Sequence, residues 1–304
     1  MITTRREFLA VATGGLGLTA LAARSAPAPS QGLSLGFSLY GMKTLPLDRA
    51  LSECARIGYR NVELSLIAGF PTEPAKLTPA GRATIRQQLT AAGLPVASLL
   101  VNLSLTAEEK AHAGHLEVLQ LAARFAAEID SAHPPIVQTV MGGTPAEWET
   151  KKSMMAARLQ EWDTIGRQHG VTVAVKAHVS SAVNTPDKLL WVLKEAKGTH
   201  LAVAYDHSHY VLAGLSIEDS LRPLAPYTKF VHVKDARREG KDVRFLLPGD
   251  GQTDYADYFR LLKKYGYHGP AVVEVSSQIF SRPGYDPVAA AEKSYAALAP
   301  ALRR

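Results

Sequence analysis

Short apolar runs of strand character alternate with longer amphipathic stretches throughout this chain, and the alternation is never interrupted. The runs are "LSLGFSLY" (33–40), "NVELSL" (61–66), "PVASLLVN" (95–102), "PIVQTV" (135–140), "VTVAVKAH" (171–178), "HLAVAYD" (200–206), "TKFVHVKD" (228–235) and "PAVVEVS" (270–276). Each is followed by a stretch of helical periodicity, such as "DRALSECARIG" or "AGRATIRQQLTAAG". Runs this rich in β-branched and apolar residues mark strands buried on both faces, and strands joined through helices lie parallel. Eight strand–helix repeats of about 30 residues predict one α/β domain closed as a (β/α)8 barrel. An open doubly wound sheet would want a glycine-rich phosphate loop after its first strand. "SLYGMKTLP" contains no such loop, and the "MGG" after the fourth run is too little to supply one.

The barrel is expected over residues 29–304, behind an export signal over residues 1–28. Arg5 and Arg6 precede an apolar run from Phe8 to Leu21 and then small residues. That is the pattern of a twin-arginine signal, with an apolar stretch too short to span a bilayer stably. Cleavage is expected after Ala22, or at a site up to Ala28. The twin-arginine export machinery is therefore an expected partner, and the expected address is periplasmic or secreted. The net charge of +6 is scattered, with no basic run longer than "DARREGK", which argues against a nucleic-acid partner. Cys54 is the only cysteine, so no disulfide forms within the chain. It falls in a helical pattern, as a small core residue does. Association into a homo-oligomer is left open.

In a barrel of this kind the chemistry gathers at the carboxyl ends of the strands. The polar residues there are Tyr40, Glu63, Asn102, Gln138, Lys176, His178, Asp206, His209, His232, Lys234, Asp235 and Glu274. Asp206, His232 and Glu274 stand at equivalent places on strands six, seven and eight. A carboxylate, an imidazole and a second carboxylate suit a divalent ion such as Mn²⁺, Mg²⁺, Co²⁺ or Zn²⁺. Such an ion would polarise a sugar carbonyl or hydroxyl. Any one of the three by itself reads more readily as a loop anchor, so the weight lies in their convergence. Lys234 and Asp235 read as a salt-bridged pair, and Gln138 and Asn102 as hydrogen-bonding partners of a polyol. Phe37 and Tyr40 offer an apolar wall, whereas Trp191 reads as core packing. The segment "SQIFSRPGYD" after the last strand is placed to cover the mouth.

The stretches "GYRNVELS", "DHSH", "HVKDA", "LPGDGQTDY" and "YGYHGPAVVEV" together resemble the xylose isomerase-like barrel superfamily of sugar-phosphate isomerases and epimerases. The resemblance is strongest over residues 200–276. It implies a metal held from strands five to eight, and Asp206, His232 and Glu274 match three of the four ligands. It also implies substrate contacts for His209 and Arg238, and for Glu63 the part of a strand-two acid near the substrate. The fourth ligand position is taken by Lys176, and the position of a second acid by Ala182. The resemblance therefore does not extend to the two-acid proton exchange of the epimerases.

Lys176 carries four readings. It replaces the metal among Asp206 and Glu274; it coexists with a metal as a general base of depressed pKa; it forms a Schiff base with a keto sugar; or it pairs structurally with Glu63 or Asp206. His178 is a substrate contact, a replacement ligand, an acid or a hydrogen-bonded strand-end residue. The expectation for the whole is a sugar isomerase or epimerase that moves a proton next to a carbonyl on a small sugar or keto-sugar. Lys176, Glu274 and Glu63 would be catalytic, His209, Arg238, His178 and Gln138 would bind the substrate, and the ion would sit on Asp206, His232 and Glu274. A lyase or hydrolase acting on a 3-keto-glycoside is the alternative among enzymes. A sugar-binding barrel without catalysis is the alternative outside them.

Overall fold

Strands of four to six residues occupy the centre of the molecule, because the sequence supplies β-branched and small apolar residues in runs of that length. A computed structural model of the chain describes residues 32–303, so the expected export signal over residues 1–28 lies outside the described residues. Strands β1 (Ser34–Ser38), β2 (Asn61–Ser65), β3 (Val96–Leu100), β4 (Ile136–Val140), β5 (Val173–Lys176), β6 (Leu201–Asp206), β7 (Thr228–Val233) and β10 (Pro270–Val273) form a closed barrel. Neighbouring strands are parallel all the way round, and β1 closes the ring against β10 with Phe37 opposite Val273. The expected (β/α)8 barrel is thus the observed architecture. Helices α1 (Leu47–Ile57), α2 (Pro79–Ala92), α3 (Glu109–Ile129), α4 (Trp148–His169), α5 (Pro186–Ala196), α8 (Tyr255–Lys264) and α10 (Pro287–Leu302) are among those that follow the strands.

The period of two along each strand decides what faces the barrel axis. Val173 and Val175, Val203 and Tyr205, Val231 and Val233, and Ala271 and Val273 belong to the large core between sheet and helices. The alternate positions, Ala174, Ala202, Ala204, Phe230 and Val272, form a small separate cluster. The next positions of the same parity toward the carboxyl ends are Lys176, Asp206, His232 and Glu274. An apolar floor therefore lies beneath a polar layer at the end where barrels of this architecture carry their chemistry.

Two features exceed the sequence reading. Residues 228–235 do not form one strand: β7 stops at Val233, and Asp235 opens an antiparallel hairpin of β8 (Asp235–Glu239) and β9 (Asp242–Leu246). Its charged, largely exposed residues hide the strand pattern, and its turn is made by Gly240 at φ 61, a left-handed conformation glycine adopts without strain. Two strand ends also carry a short extra helix, α6 (His207–Leu212) after β6 and α9 (Ser277–Phe280) after β10, ahead of the barrel helices α7 (Ile217–Leu224) and α10.

A candidate active site at the barrel mouth

Glu63 on β2 is the deepest charged group of the site and is fully buried. Its carboxylate accepts hydrogen bonds from the Ser38 and Ser98 hydroxyls, both at 2.5 Å, and from Gln138 Nε2 and His232 Nε2, both at 2.9 Å. Burial alone would raise this carboxyl, but His232 and the two hydroxyls outweigh it and hold the pKa below the usual range. With Nε2 of His232 donating to Glu63, Nδ1 keeps its lone pair outward, and Lys176 Nζ donates to it at 3.0 Å.

Above this layer two lysines and two carboxylates interlock. Lys176 Nζ donates to Glu274 Oε1 at 2.9 Å and stands 3.8 Å from Asp206 Oδ2. Lys234, one residue beyond β7, bridges Asp206 Oδ2 and Glu274 Oε2. The other oxygen of Asp206 accepts from the Ser208 hydroxyl at 2.6 Å, and its side chain caps α6. All four charged groups are buried. Burial would raise both carboxyls, but Lys234 with His209 for Asp206, and Lys176 with Lys234 for Glu274, hold both well below their usual range. Burial likewise disfavours the Lys234 ammonium, but Asp206 and Glu274 reverse that and push its pKa above the ordinary lysine value.

Two imidazoles complete the wall. His209 Nε2 lies 3.4 Å from Asp206 Oδ2, and its Nδ1 accepts from the Val179 N–H at 3.4 Å. The His178 ring lies 4.1 Å from the His209 ring, centroid to centroid, and its Nδ1 accepts from the Ser180 hydroxyl at 2.8 Å. Burial, joined by His209 and the site lysines, lowers His178 to about 3. Burial, aided by Lys234 against the pull of Asp206, lowers His209 to about 4. Both rings are neutral at neutral pH.

Lys176, Lys234, Glu274, His178 and His209 open into a cavity of about 270 Å³, lined also by Tyr40, Asn102, Phe245, Ser276 and their neighbours, whereas Asp206 and His232 lie outside its lining. That is the low end of ligand-pocket sizes, room for one small molecule. A larger hollow of about 620 Å³ lies at the opposite end of the barrel, lined by Leu33, Tyr59, Pro95 and Leu302 among others. Among the described residues it holds no cluster of reactive groups, and it lies at the face that serves stability in this architecture.

Of the residues singled out from the sequence, Lys176, Asp206, His209, His232, Lys234 and Glu274 meet within hydrogen-bonding or near hydrogen-bonding distance. Glu63 and Gln138 lie beneath, bonded to each other, and do not line the cavity. Arg238 lies on β8, gives its guanidinium to the Leu212 carbonyl at 2.6 Å, and also lies outside the cavity lining. Lys234 and Asp235 do not pair. Adjacent residues on an extended chain point to opposite sides, so Lys234 enters the site while Asp235 accepts the N–H groups of Gly249 and Gly251 at 2.8 and 3.0 Å. Phe37 packs on Tyr59 in the outer core instead of walling the site, and Trp191 packs edge-on against Trp148. The sequence reading missed Phe245, which enters from the unforeseen hairpin and lies against both imidazoles and Lys234. The segment after β10 does reach the mouth: Ser276 and Ser277 line the cavity, and Phe280 packs edge-on against Tyr40.

The expected metal triad is assembled. Asp206, His232 and Glu274 each offer a ligand atom, and these atoms lie within 4.8 Å of one another. Protein ligands hold Mg²⁺ or Zn²⁺ at about 2.0–2.3 Å. The point that faces all three is taken by Lys176 Nζ, at 2.9, 3.0 and 3.8 Å from Glu274, His232 and Asp206. With the lysine in that position the three residues do not fit an ion.

A closed (β/α)8 barrel with an interlocked ion-pair cluster beneath a small-molecule cavity is the class that fold and site define. The chain belongs to the xylose isomerase-like TIM barrel family, whose model matches residues 51–301. It is similar to an inosose dehydratase of Geobacillus kaustophilus, with 24% identity over 83% of this chain and 84% of that protein. Among solved structures it matches a xylose isomerase domain protein from Alicyclobacillus acidocaldarius with a TM-score of 0.74, at 20% identity over 89% of this chain and 98% of that one. It also matches the apo form of 3-keto-D-glucoside 4-epimerase from E. coli with a TM-score of 0.70, at 16% identity over 89% of this chain and all of that one.

Proposed function

We propose that this chain is a sugar-modifying enzyme that removes a proton next to a carbonyl on a small sugar or keto-sugar. One observation carries the reading: among the described residues Glu274 is the single carboxylate lining the cavity, and both of its oxygens face ammonium groups. The Glu274 carboxylate takes the proton, and the electron pair moves onto the carbonyl oxygen. The N–H groups of Lys176 and Lys234 are the donors placed to hold the enolate that forms. A carboxylate held this far below its usual pKa is a weak base, so the acidification of the substrate by these cations is essential to the step. For isomerisation the proton held by Glu274 goes to the former carbonyl carbon, while the α-hydroxyl passes its proton to the enolate oxygen and becomes the new carbonyl. For elimination it goes to a β-hydroxyl, which leaves as water as the enolate carbonyl re-forms. Inversion by two opposed acids would need a second carboxylate at the cavity, and among the described residues none but Glu274 lines it. The relative named inosose dehydratase supports the branch that loses water. A divalent ion on Asp206, His232 and Glu274 would supply the same polarisation only after Lys176 withdrew. Arg5 and Arg6 ahead of an apolar run support export, hence an unphosphorylated substrate outside the cytoplasm.

The test is deuterium exchange in D₂O against monocyclic keto-sugars, a keto-inositol and a 3-keto-glucoside among them, followed by NMR. The wild-type chain should exchange the carbon-bound proton, and Glu274→Gln should lower the rate by about 10³-fold. Saturable binding of these sugars with neither exchange nor product would leave a sugar-binding barrel and sink the enzyme reading.

A further inference from the structure

We infer that the Lys176 ammonium is the resident cation of this site: it occupies the ion's place on the Asp206, His232 and Glu274 triad and keeps divalent metals out. The inference rests on the proposed reading only for what the cation does, not for its identity. Three geometric facts carry it. Lys176 Nζ meets one ligand atom of every member of the triad, and it donates to two of them. From below, His232 Nε2 meets Glu63 at 2.9 Å, which leaves Nδ1 as the ring atom that faces the lysine, at 3.0 Å. The remaining carboxylate oxygens of the triad are committed elsewhere. Glu274 Oε2 and Asp206 Oδ2 accept from Lys234, and Asp206 Oδ1 accepts from Ser208.

An ion entering this arrangement would stand against two ammonium groups. Like charges a few ångströms apart repel strongly in a buried site, and a divalent ion doubles that repulsion for each lysine. It would also have to break the Lys176 bonds to Glu274 and His232. The ammonium has its own use. Two of its three N–H groups are given to Glu274 and His232, and Asp206 at 3.8 Å is too far to take the third. Lys176 lines the cavity, so that third donor is available to a substrate oxygen. A charge-assisted N–H then does the polarising work for which such sites otherwise employ a metal.

Elemental mass spectrometry tests this on the full chain, purified without chelator, incubated with Mn²⁺, Mg²⁺, Co²⁺ or Zn²⁺ and desalted. Wild type should hold less than about 0.1 ion per chain and show no rise in Tm with any of the four. Lys176→Glu, which replaces the cation with a third carboxylate and so a fourth ligand, should take up about one ion, and Lys176→Glu with Asp206→Ala should lose it. About one Asp206-dependent ion in wild type would overturn the inference. So would a folded Lys176→Glu chain that binds none, since the triad would then not be an ion site for the lysine to fill. Should Lys176→Glu fail to fold, Lys176→Ala carries the test. Opening the triad should give it an Mn²⁺-dependent rise in Tm of roughly 5 °C that wild type lacks, and no rise would count against the inference. These outcomes do not depend on turnover, so failure to find a substrate and failure of the cation assignment are separable. Where exchange is found, EDTA should leave its rate in wild type unchanged.

Discussion

Glu63 shows what one buried residue does here without touching the cavity. Its two oxygens collect four donors, and through His232 it decides which ring nitrogen meets Lys176. A glutamine of the same shape would lose the charge and would turn an amide N–H₂ toward groups that are themselves donors. Glu63→Gln should destabilise the fold by about 3 kcal/mol, because it leaves buried donors unpaired in a low-dielectric interior. Urea denaturation would show this as a lower midpoint with an unchanged slope, and nitrogen-15 NMR should show the His232 tautomer shifting. A midpoint within about 0.5 kcal/mol of wild type would mean that the four donors find other partners. The presence of Glu63 was legible in the sequence, but its depth was not. Strand-end position suggested a group at the substrate, whereas the hydroxyls of Ser38 and Ser98 that hold it below the mouth come from neighbouring strands and carry no local signal. Lys234 misled for a related reason: its adjacency to Asp235 suggested a pair, and the alternation of an extended chain separates them.

At the scale of the element, α6 and the turn after β5 bring three histidines into the interior, and that packing has a consequence in pH. Burial is the leading cause that lowers His178 to about 3 and His207 and His209 to about 4. In the unfolded chain each would titrate near 6.5. Below pH 6.5 the unfolded state therefore binds protons that the native state refuses, and stability falls as pH falls toward 4. Glu63, Asp206 and Glu274 have lowered folded values, so their contribution is complete above the ordinary carboxylate range and begins to be lost only below about pH 4.5. Between pH 6.5 and 4.5 the slope thus belongs chiefly to the histidines, at up to about 1.4 kcal/mol per pH unit for each. Tm measured across that window should decline with acid, and His207→Gln should remove roughly a third of the slope while leaving the cavity residues in place. A flat profile in wild type would show that the rings reach solvent. The hairpin of β8 and β9 was the element the sequence concealed, because alternation of charged with apolar residues on an exposed ribbon reads as a polar loop.

For the molecule as a whole, the barrel could be read before any coordinate, since parallel strands buried on both faces have few other ways to hide their surfaces. The site was legible to the extent that it follows strand parity: Lys176, Asp206, His232 and Glu274 share the inward face with the apolar floor beneath them. What parity cannot show is which charge neutralises which, because that is decided by reach across the barrel, as when Lys176 on β5 meets Glu274 beyond β10. The same self-containment bears on export. The described barrel, residues 32–303, closes β1 directly on β10 and buries its charged cluster. A cluster of this kind has to be paired as it is buried, which favours folding before translocation, as the twin-arginine route permits. Replacing Arg5 and Arg6 by lysine should then leave the chain in the cytoplasm, folded and with the Tm of the mature protein, while wild type is recovered from the periplasm on cell fractionation. If the doubly substituted chain reached the periplasm as efficiently as wild type, the paired arginines would not be its address, and the case for an unphosphorylated substrate outside the cytoplasm would go with them.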